Sequence, residues 1–205
     1  LPRAATQTGI MQVLVPRDST GSKDGDRETA DGISMTEKER IAKELDQANF
    51  EKVQKELEQR MARDNDLSRL KEQVTYVRER EGFRIEVIDK ADFSMFALGS
   101  TQMSPKAQAL VGEIAKSIAG MPNKVKVRGH TDALPFLGGE RNNWSLSAER
   151  AEVTRQMLAA RGVDESRFTR IEGVADRQPF NAKDPFDPRN RRISVTLEYR
   201  DANAP

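Results

Sequence analysis

The 205-residue chain contains no cysteine and a single histidine, His130. Without cysteine there are no disulfide staples, no thiolate metal ligands and no thiol nucleophile. One histidine is too few for a conventional zinc centre. No apolar run approaches the ~18 residues of a membrane-spanning helix, and no export leader is recognisable. Neither sign of charge dominates: 34 Lys and Arg stand against 33 Asp and Glu, a net of +1. That balance argues against a basic face for nucleic acid or an anionic membrane surface.

What is present is strongly polar, 33% charged against 36% apolar. The length suits one ordinary domain with extra segments, and the polar excess lies in the first third. Residues 1–35, rich in Gly, Asp, Ser, Thr and Lys, read as a linker, interrupted by Ile10-Met11-Gln12-Val13-Leu14-Val15. Residues 36–72 form a helical region. Thr36 with Glu39 fits a capping box. Ile41, Leu45, Ala48, Val53, Leu57 and Met61 then recur in a narrow stripe, close to a coiled-coil seam. Such a helix docks on the following domain or on a second copy, or is a solvated linker. A brief turn spans Leu67 to Gln73.

Residues 73–200 carry the domain, and 201–205 a tail. Val74 and Tyr76, then Phe83, Ile85 and Val87, alternate around Glu81-Gly82 as a hairpin, although Leu67, Leu70, Val74 and Val77 also allow a helix to Arg78. Ser104-Pro105 opens a helix whose inner face is Leu110, Val111, Ile114 and Ile118, with Gly120 after it. A strand over Val125 and Val127 is ended by Gly129. A second helix carries Ala148, Ala151 and Leu158 inward. Strands over Arg167 to Glu172 and Ile193 to Tyr199 complete the set, with the Pro-punctuated 176–189 as loop. The expected class is α+β, two layers in the order β-α-β-α-β-β, helices over one sheet face.

The stretch 124–151 organises this domain. Asp132 follows the strand, and Arg150 sits in the first turns of the next helix, so both reach the mouth of one crevice. A carboxylate and a guanidinium held apart suit a zwitterion: the first accepts from an ammonium, the second grips a carboxylate bidentately. Taken on spacing alone, the two could equally pair with each other or cap the helix.

The segments His130-Thr131-Asp132, Asn143-Trp144 with Leu146-Ser147 and Arg150-Ala151, and Asn190-Arg191-Arg192-Ile193 occur in an order and spacing that resembles the OmpA-type peptidoglycan-binding family. Pro135-Phe136 after the first motif, and Met95 to Ser100 ahead of it, resemble the MotB-type branch found in flagellar stators. The likeness covers roughly Val74 to Tyr199. It implies an OmpA-like sandwich that binds diaminopimelate of the peptidoglycan stem peptide, with N-acetylmuramic acid as a further candidate contact. By motif, Asp132 meets the ammonium and Arg150 the carboxylate, with Thr131, Leu146, Ser147, Arg155 and Arg191 around them. It further implies a homodimer, a MotA-type channel subunit as partner, and a periplasmic chain tethered to the inner membrane by a helix upstream of Leu1. The 10–15 sextet then belongs to a channel-blocking plug or is a sticky patch in a tail.

The remaining candidates carry two readings each. His130 titrates near neutrality or is structural. Trp144 stacks on a sugar or anchors the helix start. Arg191 and Arg192 alternate, so only one faces the crevice, and Arg191 is preferred. No cofactor, metal or catalytic residue is expected: Ser147 lacks a nearby base, and Asp132 with Glu140 or Glu149 is a poor imitation of a glycosidase pair. Other OmpA-type wall anchors, or a wall hydrolase, are the alternatives.

Overall fold

A computed structural model describes residues 35–135 and 141–200, with side chains from residue 37 onward. Five strands form one sheet: β1 (Val74–Arg78), β2 (Gly82–Ile88), β3 (Val125–His130), β4 (Phe168–Gly173) and β5 (Arg192–Glu198). Their spatial order is β1-β2-β5-β3-β4. The β3–β4 pair is parallel, and the other neighbours are antiparallel. The hairpin reading of 74–87 holds, with Val74 opposite Val87 and Tyr76 opposite Ile85. It places β1 at the sheet edge, one strand beyond the expected β-α-β-α-β-β series.

Period-two alternation decides which face is apolar. Phe83, Ile85 and Val87 of β2, Val125 and Val127 of β3, and Ile193, Val195 and Leu197 of β5 are all buried in one core. The helices supply the second layer. In α3 (Pro105–Ile118) the Ser104 side chain accepts from the Ala107 N–H and Pro105 occupies the first turn, so the start is capped as the sequence requires. Its Leu110, Val111, Ile114 and Ile118 enter the core, beside α4 (Asn143–Ala160). The opposite face is polar yet closed: Glu86, Lys126, His130, Ser194 and Thr196 are each buried. Lys126 pairs there with Glu81.

The helix α1 (Met35–Arg63) differs from the single expected stripe. Phe50, Val53, Leu57 and Met61 are buried in the same core as the sheet, whereas Ile41 is 38% and Leu45 54% exposed. The step from Ala48 to Val53 explains the split. At about 100° per residue, five residues carry the chain well over a third of a turn past its starting face. The missed residue is Phe50, which stacks on Phe83 with centroids 5.4 Å apart and lies 5.5 Å from the Tyr199 ring. Buried Asp46 completes the dock by accepting from the Arg200 backbone N–H (2.8 Å) and Nε (2.7 Å). Packing therefore runs continuously across 72–73. Met35 is already helical, so Thr36 lies inside the helix rather than at its cap. The 10–15 sextet lies outside the described residues. The short α2 (Asn65–Ser68), capped by Asp64, and a 3-10 turn over Lys71–Gln73 lead into β1.

Two further expectations are corrected. Gly129 does not end β3, which runs through His130. Ala148 is exposed rather than inward: its backbone nitrogen is pressed against Gly173, which turns the methyl group outward.

Candidate functional site

The placement of α4 creates the site. A Cβ on Gly129 would lie 2.0 Å from the Ser147 carbonyl oxygen, and one on Gly173 would lie 2.3 Å from the Ala148 nitrogen. These glycines face each other across β3 and β4. Their bare backbones let the first turns of α4 rest directly on the sheet. Asn142 caps the helix through the Ser145 N–H, and the Ser145 hydroxyl answers at the Asn142 N–H, a complete capping box. Arg150 is thereby held above the C-terminal end of β3, where Asp132 emerges.

The segment after β2 aims the Arg150 guanidinium. Its Nε donates to the Ser100 carbonyl (2.9 Å) and its Nη2 to the Ala97 carbonyl (3.2 Å), while Phe96 lies under it with 5.0 Å from Cζ to the ring centroid. Among the described residues no carboxylate is within ion-pair distance of Arg150, although the residue is buried. Burial lowers its pKa to about 10, opposed by the charges of Asp89 and Asp132, so it remains cationic at neutral pH.

Asp132 is fixed from two sides. Its Oδ1 accepts from the Leu134 N–H (3.2 Å), a local turn of the kind Asp favours, and its Oδ2 accepts from Arg191 Nη1 at 2.6 Å. Asn143 ties this loop to the helix start by donating to the Asp132 (3.3 Å) and Leu134 (3.1 Å) carbonyls. Arg191 also donates through Nε to Asp89 Oδ2 at 3.0 Å. Burial opposes the Arg191 charge, but its bonds to Asp132 and Asp89 outweigh that and raise its pKa.

Thr131, Asp132, Leu146, Arg150 and Arg191 line one cleft of about 280 Å³, closed by Leu98, Gly99, Leu134, Pro135 and Asn143. That volume is near the small end for ligand pockets. Charge at its inner end is balanced, with Asp89 and Asp132 against Arg150 and Arg191. A guest with one positive and one negative end therefore preserves neutrality. Buried Thr131 Oγ1 has no hydrogen-bond partner among the described residues.

Two expected residues stand elsewhere. Arg155 is absent from the cleft lining. It is bound to Glu152 (2.8 Å) and Glu165 (2.5 Å) and lies over the Phe168 ring, because five residues on from Arg150 the helix has turned to another side. Ser147 is fully buried, donates to the Trp144 carbonyl and accepts from the Ala175 N–H, both at 3.0 Å, and so positions the loop after β4. That loop holds Ala175 at φ 50°, and the Ala175 carbonyl accepts from the Thr131 N–H (3.0 Å). Of the alternating pair, Arg191 faces the cleft, and Arg192 turns to the polar sheet face and Glu86 (3.2 Å). His130 is on that face too, with burial and then Arg192, Arg128 and Arg84 lowering its pKa to about 2. Trp144 is half exposed, with Arg177 6.0 Å from its ring centroid. Glu149 pairs with Arg141, and Glu140 lies outside the described residues.

Asp89, Asn143 and the Ala97 and Ser100 carbonyls are site components that sequence reading did not assign a role. The available signal for Asp89 was its place directly after an alternating strand, as for Asp132 after β3.

Residues 95–192 match the OmpA family. The chain is 32% identical over 166 residues to Motility protein B of Escherichia coli K12, covering 80% of this chain and 54% of that protein. It thus spans about half the length of that curated relative. Among solved structures, a MotB-like protein from Desulfovibrio vulgaris superposes with TM-score 0.63 at 21% identity, covering 78% of this chain and all of the other. The cell wall anchor of the T6SS from Pseudomonas aeruginosa superposes with TM-score 0.54 at 27% identity, covering 68% of this chain and 97% of that one.

Proposed function

We propose, from the match of residues 95–192 to the OmpA family, that the chain is a non-covalent peptidoglycan anchor of a flagellar stator. The cleft takes the zwitterionic end of diaminopimelate on a stem peptide. Asp132 accepts from its ammonium, and Arg150 donates to its carboxylate through Nη1 and the Nη2 hydrogen not spent on Ala97. The Thr131 hydroxyl adds a hydrogen bond, and Leu146 with Leu98 and Leu134 forms an apolar wall for the methylene chain. The single observation carrying this reading is a buried, cationic Arg150 with no carboxylate partner among the described residues, oriented into a cleft it shares with Asp132. A buried cation without an anion is costly, and a bound carboxylate would offset that cost.

The anchoring role has further support in the likeness to Motility protein B. On this reading the chain lies in the periplasm, is tethered to the inner membrane, and works with a MotA-type channel subunit. A single small ion-paired ligand is held modestly, so two copies in a homodimer would gain avidity at an effective concentration on the order of mM. A hydrolytic role is disfavoured: the Ser147 hydroxyl is spent on Trp144 and Ala175, and Glu149 on Arg141.

The test is sedimentation with purified sacculi. Asp132→Asn and Arg150→Ala should each abolish co-sedimentation while the far-UV circular dichroism stays that of the parent. Undiminished binding by both folded variants would overturn the site. Release of soluble muropeptides by the parent chain would overturn the anchoring role.

A further inference from the structure

Asp132 is already engaged. Its Oδ2 accepts from Arg191 Nη1 at 2.6 Å, the place an incoming ammonium would take. The same guanidinium holds a second carboxylate, Asp89 Oδ2, at 3.0 Å through Nε. Asp89 is itself rigid and buried: its Oδ1 accepts from the Met95 N–H (2.8 Å), and its own N–H donates to the Arg191 carbonyl (3.0 Å). Asp89, Arg150, Arg191 and His130 border one small space of about 10 Å³ beneath the cleft. Arg191 is thus suspended between one carboxylate in the cleft lining and one below it.

We propose that Asp89 is a positioning residue that takes over Arg191 when an ammonium reaches Asp132, so that the cleft exchanges one cation for another instead of crowding two onto one carboxylate. The inference rests on the reading of the cleft as a zwitterion site and adds its exchange step. Two cations competing for one carboxylate repel each other, and the repulsion is weakly screened where both are partly buried. A second acceptor that is already hydrogen-bonded to Arg191 removes most of that conflict, because the guanidinium needs only to tilt. With Asp89 neutralised, Arg191 has Asp132 alone and becomes a competitor of the ligand. Arg191 is therefore a gate on the ammonium half of the cleft, and Asp89 is what lets it open. The carboxylate half, at Arg150, is outside this exchange.

The test is a double-mutant cycle read by calorimetric titration of the full chain with meso-diaminopimelate, and with pimelate, which lacks the ammonium groups. Asp89→Asn should weaken diaminopimelate binding about tenfold, as expected for coupled charges in contact, and should not weaken pimelate binding. In an Arg191→Met background the same Asp89→Asn change should cost nothing, because no competitor remains. Urea unfolding of each variant checks the fold, and the cycle is read on the Arg191→Met pair if Asp89→Asn alone is destabilised. A loss that persists undiminished in the Arg191→Met background, or that is equal for pimelate, would overturn the exchange and leave Asp89 a structural residue. Failure of the parent chain to bind diaminopimelate at all would overturn the underlying zwitterion reading as well.

Discussion

At the scale of single residues, the molecule separates charges that open into the cleft from charges held within the fold. Arg150 and Asp132 open into the cleft, whereas Arg192, Arg128 and Arg84 surround His130 on the far face of the sheet. There Ser194 Oγ is within 3.0 Å of Glu86 and 3.3 Å of His130 Nε2. With its proton given to Glu86, the serine hydroxyl is left to accept from the ring Nε2. The folded pKa of about 2 lies below the ordinary 6.5, so the unfolded chain takes up the proton first. Stability is complete above pH 6.5 and is lost as pH falls from 6.5 toward 2. Between pH 7 and pH 5 this one residue should remove about 2 kcal/mol, at a limiting slope of about 1.4 kcal/mol per pH unit. Urea unfolding at both pH values should show that loss in the parent and a smaller one in His130→Asn. His130 was legible from sequence only as a choice between titrating and structural roles, because two of the three arginines, Arg84 and Arg192, reach it from other strands.

At the scale of elements, the seat of α4 on β3 and β4 sets the distance between the two halves of the cleft. Gly129 was visible in the sequence, but its job was misread, since a glycine near a strand end looks like a terminator. Gly173 drew no attention because its partner, the Ala148 backbone, lies on an element that only the fold brings near. Gly173→Ala would place a Cβ 2.3 Å from the Ala148 nitrogen and 2.7 Å from its Cα. Backbone cannot yield cheaply, so the variant should lose about 2 kcal/mol in urea unfolding. It should also bind diaminopimelate more weakly, because Arg150 rides on the displaced turn. The fate of α1 gives the same lesson about legibility. A period of three and four residues identified the helix, but the five-residue step that changes its face could be interpreted only once Phe50 was seen stacked on Phe83.

At the scale of the whole molecule, the sheet joins segments that sequence reading treated apart. The hairpin, the two capped helices and the closing strand were legible because alternation, Ser104-Pro105 and apolar spacing are local signals. Asp132 and Arg150 were legible for the same reason, lying on one strand–loop–helix unit. Asp89 was not, since its partner Arg191 is 102 residues away. Nor were the misplaced roles of Arg155 and Ser147, which follow from helix phase and from loop contacts made after β4. The most direct measurement of the central claim is calorimetric titration of the parent chain with meso-diaminopimelate and with its doubly N-acetylated and doubly carboxyl-amidated forms. The account predicts that the free amino acid binds and that blocking both amines or both carboxyl groups weakens binding at least about tenfold. Equal affinity for all three would contradict it.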